Sequence, residues 1–142
     1  MKISRTVSYA LQATIHLAQS ESATPVPCSR LAAEGGMPER FLLQILRSLV
    51  THGILHSTRG VEGGYSLEKT PDKISLLEII EAIDGPLNSK MTTGTAMPQS
   101  SSDRLREALE DVAVSARKQL EQVKLSSLLT SMPKPRQEST TK

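Results

Sequence analysis

The sequence predicts a mainly α-helical chain with one small β-hairpin, and three observations predict it. Only Tyr9, Phe41 and Tyr65 are aromatic among 142 residues, so the core must rest on Leu, Ile, Val and Ala. Apolar residues recur at helical spacing in four separate stretches. A single glycine-rich segment, Arg59-Gly60-Val61-Glu62-Gly63-Gly64, separates two short β-prone runs.

The elements follow in order. Ile3, Val7, Ala10, Leu11, Ile15 and Ala18 make one stripe over residues 3–19. Thr24-Pro25-Val26-Pro27 cannot continue that helix, because proline lacks an N–H and disfavours helix in the residue before it. A second helix is expected from about Cys28-Ser29 to Glu34, capped by Ser29 or its neighbour and ended by Gly35-Gly36. Pro38 then stands where a helix-starting proline belongs, with Glu39 in the acidic first turn. Leu42, Ile45, Leu46 and Leu49 form the inward stripe of a third helix, which Gly53 stops after His52. Helix, Gly-Gly turn and helix make a helix-turn-helix unit.

Ile54–Thr58 and Tyr65–Leu67 read as the strands of the hairpin. A helix-turn-helix followed by a two-stranded hairpin is a winged helix. Ser75 and Glu78 match a capping box, and Ile79, Ile80 and Ile83 continue that helix until Asp84-Gly85-Pro86 breaks it. The first domain is therefore expected over residues 1–86. Residues 87–102 carry one charge, Lys90, and no periodicity, and read as a flexible loop. Leu105, Leu109, Val112, Ala116, Leu120 and Val123 then form a stripe about 30 Å long on a helix. A long helix tethered to a small domain is best buried against a second copy, so residues 103–130 are expected to form a dimerisation region. Residues 131–142 read as a disordered tail.

The formal charge is +2, with seven Lys/Arg against five Asp/Glu in residues 1–69 and ten of each in residues 70–142. The surplus lies in the winged-helix half and permits a nucleic-acid surface. Three rings are too few for a platform that stacks unpaired bases. One cysteine, Cys28, cannot form an internal disulfide. No apolar run approaches the roughly 20 residues of a membrane span. The expectation is a soluble cytoplasmic protein without a membrane partner.

Arg59 at the base of the hairpin is suited to a minor groove, where narrow A·T tracts attract guanidinium groups, and Gly60, Gly63 and Gly64 allow a tight tip. With the apolar stripe inward, the third helix turns Glu39, Arg40, Leu43, Gln44 and Arg47 outward toward a major groove. Gln44 can pair with adenine, and Arg40 with guanine or phosphate. Leu43 either touches thymine methyls or packs at the helix edge, and the second is preferred. Lys2, Ser4, Arg5 and Tyr9 are expected phosphate contacts.

Cys28 lies near a helix N-terminus, where the dipole lowers a thiol pKa, making it a candidate redox residue. The blander reading, a small residue packed at a helix start, is preferred. His16, His52 and His56 show no metal-ligand spacing and read as surface residues. No nucleophile elbow, phosphate-binding loop or His-Glu metal motif is present, so no catalytic residue and no enzyme are expected.

Taken as an ordered set, Met1-Lys2-Ile3-Ser4, Tyr9-Ala10-Leu11, Val26-Pro27, Phe41-Leu42, Gln44-Ile45-Leu46, Leu49, Gly53-Ile54-Leu55, Arg59-Gly60, Gly63-Gly64-Tyr65-Ser66-Leu67, Ile74-Ser75-Leu76, Ile79-Ile80 and Ile83-Asp84-Gly85 resemble the Rrf-two family of bacterial winged-helix transcription regulators. The resemblance is close over residues 1–86 and loose over the long helix. It implies a homodimeric repressor or activator, with repression the favoured mode, on a partly palindromic double-stranded DNA operator. It also implies, in many members, a loop whose three cysteines ligate an iron–sulfur cluster. Here that loop has none, and Thr, Ser and Met cannot replace thiolates. The following helix starts with Arg104, Arg106 and Glu107 and lacks a histidine. No cofactor is therefore expected, and the effector, a small molecule or a protein, is left unnamed. The rival reading is a winged-helix protein-interaction module, which salt dependence of binding would distinguish.

Overall fold

Ser4 opens the first helix. In the computed structural model, which describes residues 2–20, 24–88 and 96–129, its hydroxyl accepts the Val7 N–H at 3.1 Å. Helix α1 runs Arg5–Gln19 and buries Val7, Ala10, Ala13, Thr14 and Leu17. The buried Thr14 hydroxyl is satisfied by carbonyls of its own helix, Ala10 and Leu11, both at 3.0 Å.

Helix α2 spans Cys28–Gly35 and has no side-chain cap. The expected Ser29 cap does not form. Pro27 is held extended (φ −70°, ψ 153°), and its carbonyl takes the Arg30 and Leu31 N–H groups, so Ser29 falls inside the first turn. Gly36 ends the helix in the left-handed region, φ 64°. Helix α3 covers Glu39–Thr51 with Pro38 just before its first residue, and buries the expected Leu42, Ile45, Leu46 and Leu49.

Strands β1 (Leu55–Thr58) and β2 (Gly64–Leu67) pair antiparallel, Leu55 opposite Leu67 and Thr58 opposite Gly64. A single 3-10 turn at Pro71–Lys73 leads to α4, Leu76–Asp84. Its capping box is present: Ser75 Oγ accepts the Glu78 N–H at 3.1 Å, and Glu78 Oε2 accepts the Ser75 N–H at 3.3 Å.

The long helix α5 runs Gln99–Gln122. It begins four residues before the expected Asp103, so the last residues of the segment read as a loop are helical. Pro98 presets the backbone at the start, and its carbonyl accepts the Ser102 N–H at 2.9 Å. Serines 100–102 lower helix propensity without breaking it. A short α6, Leu125–Leu129, follows. The expected tail at 131–142 lies outside the described residues.

The end of α5 returns to its own domain. Leu76 N–H donates to the Val123 carbonyl and Leu125 N–H to the Ile74 carbonyl, each at 2.8 Å. Leu125 is fully buried beside Leu31, Leu42, Leu46, Leu49, Ile54, Leu55, Ile74 and Ile79 in one core. Each such aliphatic side chain contributes about 1.5–3 kcal/mol. That core holds α3 and the hairpin as one rigid unit.

Candidate nucleic-acid interface

The buried stripe of α3 decides what its opposite side presents. With Leu42, Ile45, Leu46 and Leu49 inward, Arg40, Gln44 and Arg47 point out and are exposed, as is Glu39. Leu43 is half-buried, which agrees with packing at the helix edge. Arg59, directly after β1, is exposed.

Two hollows border α3. A cleft of about 350 Å³ separates it from the hairpin and is lined by Arg47, Val50, Thr51, Ser57 and Tyr65. A smaller one of about 130 Å³, lined by Thr6, Phe41, Gln44, Ile45, Ser48 and Ile83, lies where α1, α3 and α4 meet. The fold thus brings Arg47 to the wing and Gln44 to the start of α1.

At the start of α1, Arg5 is exposed, as is Lys2 just before the helix. Ser4 and Tyr9 are already engaged. The Ser4 hydroxyl caps the helix, and the Tyr9 ring packs edge-on against Phe41 with centroids 5.8 Å apart. Sequence reasoning missed Thr6, Ser48 and Ser57, hydroxyls beside the expected contacts, because isolated hydroxyls leave no periodic signal.

Charge is distributed in the same sense. Lys2, Arg5, Arg40, Arg47 and Arg59 join no ion pair among the described residues, whereas Arg30, Lys69, Arg106 and Arg117 each pair with a carboxylate. An unpaired cation is available to a phosphate without first breaking a contact.

The hairpin glycines have different reasons. Gly60 (φ 112°) has open space around it. A Cβ at Gly63 would lie 2.1 Å from the Thr58 carbonyl oxygen, and one at Gly64 would lie 2.4 Å from the Val26 carbonyl carbon. The last two are close-approach positions.

Cys28 is half-buried, with Sγ 3.7 Å from the Glu39 carbonyl oxygen. Burial, then the Glu39 carboxylate, pushes its thiol up, against the lowering expected from the helix N-terminus. His16 Nε2 lies 2.7 Å from Glu34 Oε1 and His56 Nδ1 3.3 Å from Glu68 Oε1. No group of three metal-ligating side chains occurs among the described residues. No described helix is long and apolar enough to cross a membrane.

The apolar stripe of α5 divides into halves. Leu105 (37%), Leu109 (36%) and Val112 (65%) are exposed. Ala116 and Leu120, on the part of α5 whose Arg117 guanidinium meets Glu81 of α4, and Val123 just past the helix are half-buried.

Residues 3–131 match the family model described as "Rrf2: Iron-dependent Transcriptional regulator". An HTH-type transcriptional regulator of Mycobacterium tuberculosis is 40% identical over 94 residues, 66% of this chain and 58% of that one. The match thus spans less than two thirds of that relative's length. The HTH-type transcriptional regulator CymR of Bacillus subtilis is 34% identical over 88 residues, 62% of this chain and 64% of that one. The solved structure of CymR, the global cysteine regulator of B. subtilis, superposes with a TM-score of 0.75 at 26% identity, covering 94% of this chain and 99% of that one.

The iron in the family's description finds no fitting donors here. The single cysteine sits in the helix-turn-helix at the start of α2, and residues 87–98 contain no Cys, His, Asp or Glu. With the family model matched over most of its length and the fold shared with CymR, the chain belongs to the Rrf2 family of transcriptional regulators.

Proposed function

We propose that this chain is a sequence-specific DNA-binding repressor. It acts as a homodimer on a partly palindromic operator, without an iron–sulfur cluster. The observation that carries the reading is an exposed, unpaired arginine on α3 that shares one cleft with Ser57 and Tyr65 of the hairpin, and a second exposed, unpaired arginine just past the end of β1. Arg47 projects from α3 and Arg59 follows β1, on a helix and hairpin held by one core. In that arrangement α3 enters the major groove and the hairpin lies over the adjacent minor groove. Gln44 reads a base edge. Arg40, Arg47, Lys2 and Arg5 position the protein on phosphates. Repression needs only occupancy of the operator.

The homodimer is supported by the exposed half of the α5 stripe. Leu105, Leu109 and Val112 lie on one face and are exposed. A second copy supplies the matching face and sets the spacing of two half-sites.

The test is capture of genomic fragments by purified protein at about 0.15 M salt, the physiological range, followed by sequencing. A few enriched sites sharing an inverted repeat are expected, with affinity that falls steeply as salt rises. Absence of enrichment, or binding indifferent to salt, would overturn the reading.

A further inference from the structure

The tip of the hairpin carries two residues that the reading above leaves unused. Gly63 N–H donates to the Gly60 carbonyl at 3.0 Å, so residues 60–63 form a turn with Val61 and Glu62 as its central pair. Val61 is fully exposed, and Glu62 is exposed and joins no ion pair or hydrogen bond among the described residues. Turn tips ordinarily carry Gly, Asn, Asp or Ser, for backbone reasons. A valine and a glutamate there answer no such need.

The tip is braced. Val26 and Tyr65 exchange backbone hydrogen bonds at 2.9 and 2.8 Å, and Gly63 and Gly64 press against neighbouring backbone. Whatever the wing touches, it touches with Val61 and Glu62 held forward.

The minor groove distinguishes base pairs coarsely. An A·T pair shows only acceptors, whereas G·C adds the guanine N2 amino donor. A carboxylate can only accept. Over A·T, Glu62 would face acceptors and, in a narrow groove, a strengthened negative potential. Over G·C it has a donor to take. Arg59, at the base of the same hairpin, has the opposite preference, and no ion pair between the two cancels them.

We infer that Glu62 is a specificity-determining residue: it selects a G·C pair under the wing tip by accepting the guanine amino group, while Val61 packs on the sugar edges beside it. The inference rests on the DNA-binding reading. It deepens that reading by placing a G·C requirement at the outer edge of each half-site, beside an Arg59 that tolerates A·T.

The test begins with selection of duplexes from a random-sequence library by the full-length protein. Each guanine of the enriched duplex is then replaced in turn by inosine, which lacks the amino group but keeps the major-groove face. Affinities are measured for the wild type and for Glu62→Ala, whose exposed site leaves folding undisturbed. At one position per half-site, inosine should weaken the wild type by about tenfold, the lower end of the scale for one hydrogen bond to a charged group. Glu62→Ala should lose that discrimination and bind the inosine duplex more tightly than the wild type does. If Glu62→Ala strengthens both duplexes equally, Glu62 contributes only repulsion and the inference fails. It fails also if no inosine effect depends on Glu62. Enrichment of no duplex at all would instead sink the DNA-binding reading, and this inference with it.

Discussion

Val26 and Tyr65 form a two-way backbone bridge: Val26 N–H donates to the Tyr65 carbonyl at 2.9 Å and Tyr65 N–H to the Val26 carbonyl at 2.8 Å. This adds a single rung to the hairpin on the side away from β1. It ties β2 to the residue two before α2, so the wing and the helix-turn-helix move together.

Gly64 makes that rung possible. A Cβ there would lie 2.4 Å from the Val26 carbonyl carbon and 2.5 Å from its oxygen, and the φ of 152° already disfavours a side chain. Gly64→Ala should destabilise the fold by about 2–4 kcal/mol, combining strain and a broken bridge. Gly60→Ala meets open space and should cost only the strain of its φ, about 1–2 kcal/mol. Urea denaturation of the two variants checks the order. Equal losses would show that the close approach does not matter.

Arg59 and Gln44 should fail in different ways. Arg59→Ala should weaken operator binding by about tenfold and lower the salt slope by about 1, with fold and assembly intact. Gln44→Ala should relax the preference at one base position, by about 1–3 kcal/mol for a bidentate contact, with an unchanged salt slope. Titrations over a salt series, on the operator and on single-base variants, separate the two. Unchanged affinity for Arg59→Ala would remove the wing from the interface.

Glu81 joins three parts of the chain. Its Oε2 accepts the Arg117 guanidinium of α5 and, at 2.8 Å, the Leu87 N–H just beyond α4. Glu81 is mostly covered, while Arg117 is partly exposed. Solvent therefore screens the pair, and the charge contributes about 1 kcal/mol. Glu81→Gln keeps an oxygen for Leu87 and should cost that much. Glu81→Ala strands a backbone donor as well and should cost about 2 kcal/mol. A double-mutant cycle with Arg117→Ala should show coupling for the pair. Additive losses would mean that the contact contributes nothing.

Cys28 should behave as a sluggish thiol. Burial and the Glu39 carboxylate both favour the protonated form, so the thiolate fraction at neutral pH lies below that of a free cysteine. Alkylation by iodoacetamide at pH 7 should be slower than that of a small free thiol, and should gain rate only as pH rises past the ordinary thiol range. Glu39→Gln removes the smaller of the two causes and should speed it modestly. Alkylation faster than the free thiol would restore the helix N-terminus as the dominant influence.

What sequence made legible was whatever repeats. The Leu42, Ile45, Leu46 and Leu49 stripe, the Gly36 turn and the Ser75–Glu78 box are local patterns, and all three are present. The missed features are single long-range events. Nothing in Val26 announces Tyr65, and nothing in Leu125 announces Ile74, because one bridge has no period. Ser4 was legible as a polar residue near a helix start; that its hydroxyl accepts the Val7 N–H as the α1 cap is a single local contact, and it leaves the O–H proton to donate elsewhere. The outward face of α3 followed directly from its inward face. The cleft joining Arg47 to Ser57 and Tyr65 required the hairpin to be placed first.

The α5 stripe, continuous in sequence, separates in space into a half that holds the monomer and a half that remains open. Val123 gives its carbonyl to Leu76, and Leu125 seals the core just beyond it, which draws the C-terminal half inward. Leu105, Leu109 and Val112 stay exposed. Charge placed in the two halves should therefore have different consequences. Leu109→Asp should halve the mass seen by sedimentation while the helical content survives. It should also cost most of the operator affinity, because two half-sites no longer bind as one. Leu125→Ala should instead cost about 2–5 kcal/mol of stability, the range for a buried leucine. If Leu109→Asp sediments as the wild type does, the exposed half of the stripe is not the dimer contact.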